Sequence, residues 1–375
     1  MDAEWSWSDV GARVAEARTA RGLSQEELAE RAGIERFALA KIETGRRQLN
    51  SLELASLGTV LRRPLSWFVT PPEPAVASRR ADPGRRDDKA GEHALDDCLR
   101  DLRTLTDSGA LKPLPPRPPV VPFSAEDGIA VNKAAAVGRR LAGVDDRQPI
   151  IGLADVLETA GLYTWSLDLG PQSIDGGYIA LDRFGVAVIN SAQDAGRRRS
   201  TLAHEFGHHI LSDAYSHDWG ADTGAHERAV NAFAAAFLFP PGVKDRFAHL
   251  RDKPNGLRTA VVTLAAEYRV SWSTAVHQLR SYEIISQDEW RRLDRSSPTR
   301  ADYMEAGIRV VEELATGHVP TGIRAAAVRA YRTHRISATR ALEIIRDDRL
   351  HKEDLGQPDA LPLEALRGEL GEDLP

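Results

Sequence analysis

Apolar positions at helical spacing predict four short helices near the N-terminus: Val10 to Ala20, Gln25 to Ala32, Arg36 to Glu43 and Leu52 to Leu61. Ser24 followed three residues later by Glu27 forms a capping-box pattern, which marks the start of the second helix. Gly33 supplies a tight turn before the third helix. The pattern predicts a small all-α domain over residues 8–68.

Between residues 71 and 124 the pattern changes to that of a Pro-rich linker. Leucines from Leu95 to Leu105 recur at helical spacing and predict one short amphipathic helix within it. The run Pro113 to Pro119 predicts a stiff polyproline-type spacer. We therefore expect semi-rigid segments between the first domain and the rest of the chain.

Residues 125–290 mix helical and strand patterns and predict an α+β domain with a small sheet. Two helices, near 126–141 and 152–160, precede three short apolar runs with strand character, Leu162 to Trp165, Gly177 to Leu181 and Val186 to Ile189. Gly176-Gly177 indicates either a hairpin turn or a close backbone approach, and we favour the turn. Residues 300–375 predict a helical C-terminal region, with Ile308, Val311 and Leu314 on one helix. The fold class is multi-domain and mainly α.

Composition fits this division. At 375 residues, of which 42% are hydrophobic, the chain is long enough for two or three cores. The single cysteine, Cys98, excludes an intrachain disulfide and predicts a small apolar group on a helix. No apolar run approaches the roughly 20 residues that span a bilayer, and the acidic start lacks a signal-peptide profile, so we expect a cytoplasmic protein. The net charge of −6 argues against indiscriminate nucleic-acid binding and leaves local binding open.

The pattern His204-Glu205-x-x-His208 lies within a run of helical character. Residues four apart share one face of a helix, so the two imidazoles can bind one Zn²⁺ ion. The carboxylate of Glu205 then lies beside the metal, where it can accept a proton from a bound water. This spacing predicts a zinc site with a general base.

A third protein ligand should come from downstream of the two histidines. The candidates by residue type are Asp213, His217, Asp222, His226 and Glu227. We favour Glu227 because it opens an Ala-rich helical run, and Asn231, one turn later, can hydrogen-bond a ligating histidine. His226 is the alternative, about 100° away around that helix. The group that polarises the scissile carbonyl stays open among Tyr178, His217 and His226.

The stretch Arg199 to His209, followed by Glu227-x-x-x-Asn231 and closed by Phe237-Leu238-Phe239-Pro240, resembles the ImmA/IrrE metallopeptidase family. The resemblance covers roughly residues 125–285. It implies His204, His208 and Glu227 as zinc ligands, Glu205 as general base, and hydrolysis of a peptide bond in a partner protein such as a helix-turn-helix repressor. Ser200 and Phe239 depart from the family's common Phe and Met at positions that concern packing.

A second resemblance lies at the N-terminus. The string from Leu23 to Ile34 and the ending Lys41-Ile42-Glu43-Thr44-Gly45-Arg46-Arg47 resemble the Cro/repressor (XRE-type) helix-turn-helix family. The resemblance implies a recognition helix from Arg36 to Ile42. The implied DNA contacts are Gln25, Arg36, Phe37, Lys41, Arg46 and Arg47.

Charge weakens the inference of DNA binding. Residues 1–70 hold ten Lys/Arg and ten Asp/Glu, whereas phosphate contact usually relies on a basic surface. Glu35 also places a negative charge at the start of the predicted recognition helix. The alternative is a helix-turn-helix that serves protein contact or forms a homodimer.

Three hypotheses follow. The first is a transcriptional regulator that binds an operator and cleaves a protein through a zinc site. The second is a DNA-binding regulator whose peptidase-like domain senses or docks a partner. The third is an antitoxin-like protein-interaction module. The intact set of His204, Glu205, His208 and Glu227 favours the first, because a site without activity has no chemical need for the base.

Overall fold

The computed structural model describes residues 6–61, 63, 65–69, 77–80, 90–112, 123–181, 184–211, 223–252, 256–305, 307 and 312–360. The chain divides into two compact units, Met1–Ala75 and Val76–Pro375. The predicted polyproline spacer lies outside the described residues, as do three of the ligand candidates, Asp213, His217 and Asp222. In the described ranges, no helix combines the length and apolar character needed to cross a membrane.

The first unit is an all-α bundle, as predicted. Its helices are Trp7–Ala20 (α1), Gln25–Ala32 (α2), Arg36–Glu43 (α3), Ser51–Leu61 (α4) and Leu65–Val69 (α5). The capping box of α2 is confirmed: the Ser24 hydroxyl accepts from the Glu27 amide, and the Glu27 carboxylate accepts from the Ser24 amide. Gly33 ends α2 with φ of 68°, a left-handed conformation that glycine adopts without steric cost. α1 and α3 cross closely at Gly11, where a Cβ atom would collide with the carbonyl oxygen of Ile42.

The second unit contains four strands and twelve helices among the described residues. The strands are Ala77–Arg80 (β1), Leu162–Leu167 (β2), Gly176–Ala180 (β3) and Gly185–Asn190 (β4). The helices are Ala90–Asp107 (α6), Gly128–Leu141 (α7), Leu153–Thr159 (α8), Ala195–Ile210 (α9), Thr223–Leu238 (α10), Lys244–Arg251 (α11), Gly256–Glu267 (α12), Trp272–Ser281 (α13), Gln287–Asp294 (α14), Arg300–Glu305 (α15), Thr321–Arg332 (α16) and Ala338–Ile345 (α17). Short 3-10 turns lie at Pro241–Val243 and Lys352–Leu355.

The strands form one sheet in the order β1-β3-β4-β2. The pairs β1–β3 and β3–β4 are antiparallel, and β2–β4 is parallel. The preference for a turn at Gly176-Gly177 is wrong, because both glycines lie within β3. Glycine is required there for close approach: a Cβ at Gly176 would lie 2.6 Å from Cγ2 of Thr201 on α9.

Helices cover both faces of the sheet. Along β4, Val186 and Val188 belong to the core shared with α6, α16 and α17, whereas Ala187 and Ile189 belong to the core shared with α7, α8, α9 and α10. This alternation is the period-two geometry of a strand buried on both sides. A third core joins α11, α12, α13 and α14 around Phe247 and Val261.

The structure departs from the sequence prediction in two places. Parts of the predicted linker, and the predicted C-terminal region, pack on the sheet of the second unit. The amphipathic helix in the linker exists as α6, but its leucines and Cys98 are buried against the sheet, and Ala77–Arg80 is a strand of that sheet. The C-terminal helices α16 and α17 close the same core. Asp101 joins α6 to α17 through ion pairs of 2.8 Å to Arg340 and to Arg346, the residue that ends α17. Their apolar faces need the sheet as a partner, which local periodicity cannot reveal.

The predicted helix through Ile308, Val311 and Leu314 is wrong at Leu314, the one of these residues that the structure describes. Ile308 and Val311 lie outside the described residues, and Leu314 lies in a non-helical segment with φ of 56°. Its side chain is buried in the core that contains α9.

Candidate metal centre

The helix α9 carries the predicted motif and is buried along most of its length. Asp194 caps its start, with Oδ1 accepting a hydrogen bond of 2.9 Å from the Arg197 amide. Phe206 packs against Phe233 and Phe237 of α10, at ring-centroid distances of 6.0 and 5.0 Å. Gly207, which lies between Phe206 and His208 around the helix, packs against Val230 and Phe233, so this side of α9 lies against α10.

The structure brings three of the predicted ligands into one cluster. Nε2 of His204 lies 3.1 Å from Nε2 of His208. Glu227 on α10 places Oε2 at 3.3 Å from the His204 nitrogen and Oε1 at 3.5 Å from the His208 nitrogen. Both histidines are buried, and Glu227 is partly exposed.

These separations fit a zinc ion. Zinc binds imidazole nitrogen and carboxylate oxygen at about 2.0–2.2 Å, so two ligands of a tetrahedral site lie roughly 3.3–3.5 Å apart. The three observed separations cluster around that value. The donor set of two imidazoles and one carboxylate is also one that catalytic zinc sites use.

Asn231 stands where the sequence placed it, one turn after Glu227. Its Oδ1 lies 3.0 Å from Nδ1 of His204. An amide oxygen can only accept, so Nδ1 donates, and the lone pair of His204 is left on Nε2, which faces the cluster.

The pKa of Glu227 is lowered despite burial. Burial alone raises it, but in the metal-free protein the hydrogen bond that a protonated His204 donates, and the charges of protonated His208, His204 and His226, outweigh burial. Glu227 therefore remains ionised, as a metal ligand must be.

The candidates for polarising a carbonyl are placed differently. The hydroxyl of Tyr178 lies 3.0 Å from Nδ1 of His209, whose Nε2 lies 3.2 Å from the carbonyl oxygen of Ala160. Tyr178 thereby joins β3 to α9 within the core. The ring of His226 stacks on that of His208 at 5.6 Å, and burial lowers its pKa.

Glu205 is fully buried on the turn of α9 between the two contacts with β3. Thr201 packs on Gly176 one turn before it, and His209 bonds Tyr178 one turn after it. Residues four apart share a helix face, so Glu205 points toward the same part of the sheet.

A second buried cluster supports the N-terminal half of α9, and sequence reasoning missed it. Glu313 accepts hydrogen bonds from Arg199 at 2.5 Å, from the Gly152 amide at 3.0 Å, and from Arg269. Burial, and then the charge of Arg269, lower the pKa of Arg199 to about 9. Two arginines thus depend on one carboxylate 114 residues from Arg199 in the chain. No local sequence pattern predicts an ion pair between residues so far apart in the chain.

In the first unit, the implied DNA contacts fall into two groups. Arg36, Phe37, Lys41 and Arg46 are exposed, and the Phe37 side chain is 78% exposed. Gln25 donates instead to Glu43 at 2.7 Å, and Arg47 forms a two-pronged ion pair with Glu53 at 2.7 and 3.1 Å. Phosphate contact by these two side chains would compete with carboxylates already in place.

Comparisons with known families match both units. Residues 14–68 match the family model described as helix-turn-helix, and residues 157–280 match the model described as IrrE N-terminal-like domain. Both resemblances inferred from the sequence are confirmed.

One curated relative is the radiation response metalloprotease IrrE of Deinococcus radiodurans. It is 32% identical over 187 residues, which cover 45% of this chain and 52% of that protein. The chain thus spans about half the length of this relative. No solved structure matches the chain.

Proposed function

We propose that the protein is a DNA-binding transcriptional regulator with a zinc-dependent peptidase, which cleaves a regulatory protein such as a helix-turn-helix repressor. The peptidase half of the proposal rests on the convergence of His204, His208 and Glu227 within zinc-ligand separations. The candidate base, Glu205, is buried and follows His204 directly on α9. The match to the IrrE N-terminal-like model supports the peptidase half, and the name of the Deinococcus relative suggests the class of reaction.

The chain's residues divide the work. His204, His208 and Glu227 would hold the ion, and Asn231 would keep His204 in the tautomer that ligates. Zinc bound there supplies an acidified water and polarises a carbonyl. Glu205 accepts the water proton at its carboxylate as the hydroxide adds to the carbonyl carbon. It then delivers that proton to the amine nitrogen as the carbon–nitrogen bond breaks, so one water is consumed for each peptide bond.

The test separates binding of metal from turnover. The purified wild-type chain should hold about one zinc, and Glu205→Gln should hold as much while losing cleavage by roughly a hundredfold or more. His204→Ala, the matched control, should lose both. Cleavage is followed on candidate repressor proteins by mass spectrometry. A repressor left equally intact by wild type and by Glu205→Gln would refute the proposed peptidase, and loss of zinc in Glu205→Gln would mean that its role is misassigned.

The DNA half of the proposal rests on the exposed set Arg36, Phe37, Lys41 and Arg46 on and after α3. Arg46→Ala should weaken binding to every sequence and lower the salt slope by about one, because one phosphate contact is lost. Arg36→Ala should also blur discrimination between operators. Arg31→Ala, an exposed arginine on α2 outside this set, is the matched control and should bind as wild type does. Equal losses from Arg31→Ala and Arg46→Ala, measured by anisotropy with labelled DNA fragments, would contradict the assigned face.

A further inference from the structure

One edge of the sheet is covered by a short strand from the start of the second unit. Ala77–Arg80 pairs antiparallel with β3, with Arg80 opposite Gly176, Arg79 opposite Gly177 and Ser78 opposite Tyr178. This strand begins two residues after the first unit ends at Ala75.

The covered edge is the one beside the candidate base. Gly176 packs on Thr201, and Tyr178 bonds His209, so β3 follows α9 across the turn that holds Glu205. The three helix residues are four apart and share a face. The part of β1 that pairs with Gly176 to Tyr178 therefore lies on the strand next to the one that Thr201 and His209 contact on either side of Glu205.

The opposite edge is different. β2 lies at the far side of the sheet, separated from β3 by β4. There Ser166 pairs with His318, its amide donating to the His318 carbonyl at 3.0 Å and its carbonyl accepting from the Gly317 amide at 2.9 Å. The hydroxyl of Ser166 also donates to the Leu314 carbonyl at 2.6 Å. A peptide entering at β2 would have to displace this C-terminal segment and would still lie two strands from β3.

We propose that the outer edge of β3 is the docking edge for an extended peptide main chain, and that Ala77–Arg80 is its built-in occupant. An incoming substrate displaces β1 and takes its place as the antiparallel partner of β3. This inference rests on the proposed peptidase function and adds how its substrate binds and what competes with it.

The physical basis is main-chain recognition. An added strand is held by backbone hydrogen bonds that do not depend on sequence, so the chain's own segment and a substrate can share one edge. Tethering gives β1 a high effective concentration at β3, which favours the covered state. A pairing of only four residues is short enough for a longer peptide to replace it.

The first experiment measures whether β1 protects β3 in solution. Ser78→Pro/Arg79→Pro removes two main-chain donors and fixes φ away from strand values, whereas Ser78→Ala/Arg79→Ala keeps the donors and is the matched control. In hydrogen exchange on the full chain, the amides between Gly176 and Ala180 that face β1, which are every second one, should exchange faster in the proline variant, whereas those that face β4 should stay protected. Wild type and the alanine variant should exchange alike. Equal rates in all three proteins would overturn the proposal.

The second experiment measures peptide binding without turnover. The probe is a fluorescein-labelled pool of random-sequence decapeptides blocked at both ends, and all proteins carry Glu205→Gln. The proline variant should bind the pool at least about tenfold more tightly, because the open edge is no longer a minor state. Faster exchange at β3 with unchanged peptide affinity would also overturn the proposal, since the uncovered edge would then not be the docking edge.

A reversible lock keeps the proposal testable if the proline variant fails to fold. Arg79 and Gly177 are directly opposite in the pairing, so Arg79→Cys/Gly177→Cys can form a disulfide across β1 and β3. The oxidised form should lose peptide binding, and the same protein after reduction should regain it. Equal binding by both forms would contradict the proposal. The two proposals can fail separately. If peptide binding depends on the disulfide as described, but the wild-type chain cleaves no protein that is tested, the docking edge stands and the proposed peptidase function fails.

Discussion

Asn231 decides which nitrogen of His204 is available to a metal. Its Oδ1 accepts from Nδ1–H at 3.0 Å, which leaves the Nε2 lone pair toward His208 and Glu227. We predict that Asn231→Ala lowers zinc affinity by about 10- to 100-fold, because the ring loses its orientation and tautomer. Competition against a chelator of known affinity measures the change. Asn231→Asp keeps an acceptor oxygen and should retain most of the affinity; an equal loss in both variants would mean that the hydrogen bond is not the cause.

The adjacent residues Glu312 and Glu313 each pair with a buried arginine, but they differ in how far water reaches the carboxylate. Glu313 is 12% exposed and pairs with Arg199, which is 2% exposed, whereas Glu312 is 73% exposed and pairs with Arg198. We predict that Glu313→Gln lowers the free energy of unfolding by about 3 kcal/mol, since it leaves a buried guanidinium without its counter-charge. Glu312→Gln should cost less than about 1 kcal/mol because water screens the exposed carboxylate. Urea unfolding of both variants tests the contrast, and equal losses would contradict it.

At the scale of elements, the crossing of α1 and α3 depends on one missing side chain. Gly11 lies within α1, where alanine would normally stabilise the helix by about 1 kcal/mol. A Cβ there would collide with the Ile42 carbonyl oxygen, so the two helices must separate. We predict that Gly11→Ala destabilises the first unit, seen as a lower thermal midpoint by circular dichroism.

The control is Gly128→Ala, at the first residue of α7, where a Cβ meets nothing within 4 Å. It should leave stability unchanged or slightly higher. A Gly11→Ala protein as stable as wild type would show that the crossing tolerates the added methyl group.

Elements with local signals were predictable from the sequence. Helix α2 begins and ends at the predicted residues because a capping box and a left-handed glycine fix its two ends. Strands β2, β3 and β4 were found from their apolar runs. By contrast, β1 was expected to be linker, since a strand of four residues is defined by its partner β3, a hundred residues later, and not by its own composition.

The candidate site divides along the same line. The spacing of His204, His208 and Glu227 along the sequence places them on two helices, and the structure brings the three side chains together. The dependence of Arg199 on Glu313 and the bond from Tyr178 to His209 could not be anticipated, because each joins elements whose proximity is set by tertiary packing. The role of each cluster residue remains a prediction that the variants above test.

At the scale of the whole molecule, two units with separate cores should respond separately to metal. The cluster His204, His208 and Glu227 lies wholly in the second unit. We predict that chelation lowers the thermal midpoint of the second unit, because zinc at about a thousand times its Kd adds roughly 4 kcal/mol to the folded state. The midpoint of the first unit should not move. Calorimetry with and without chelator separates the two transitions, and His204→Ala should show the chelated profile whether or not zinc is added.

The pairing of Arg199 with Glu313 also sets an order of events while the chain is being made. A ribosome delivers residues from the N-terminus, and early domains fold first. The first unit, which has a core of its own, can fold as soon as it emerges. Helix α9 emerges with its histidines long before its buried arginine has a counter-charge, which arrives 114 residues later. A nascent chain can therefore complete its helix-turn-helix unit well before it can complete the support of the candidate metal centre.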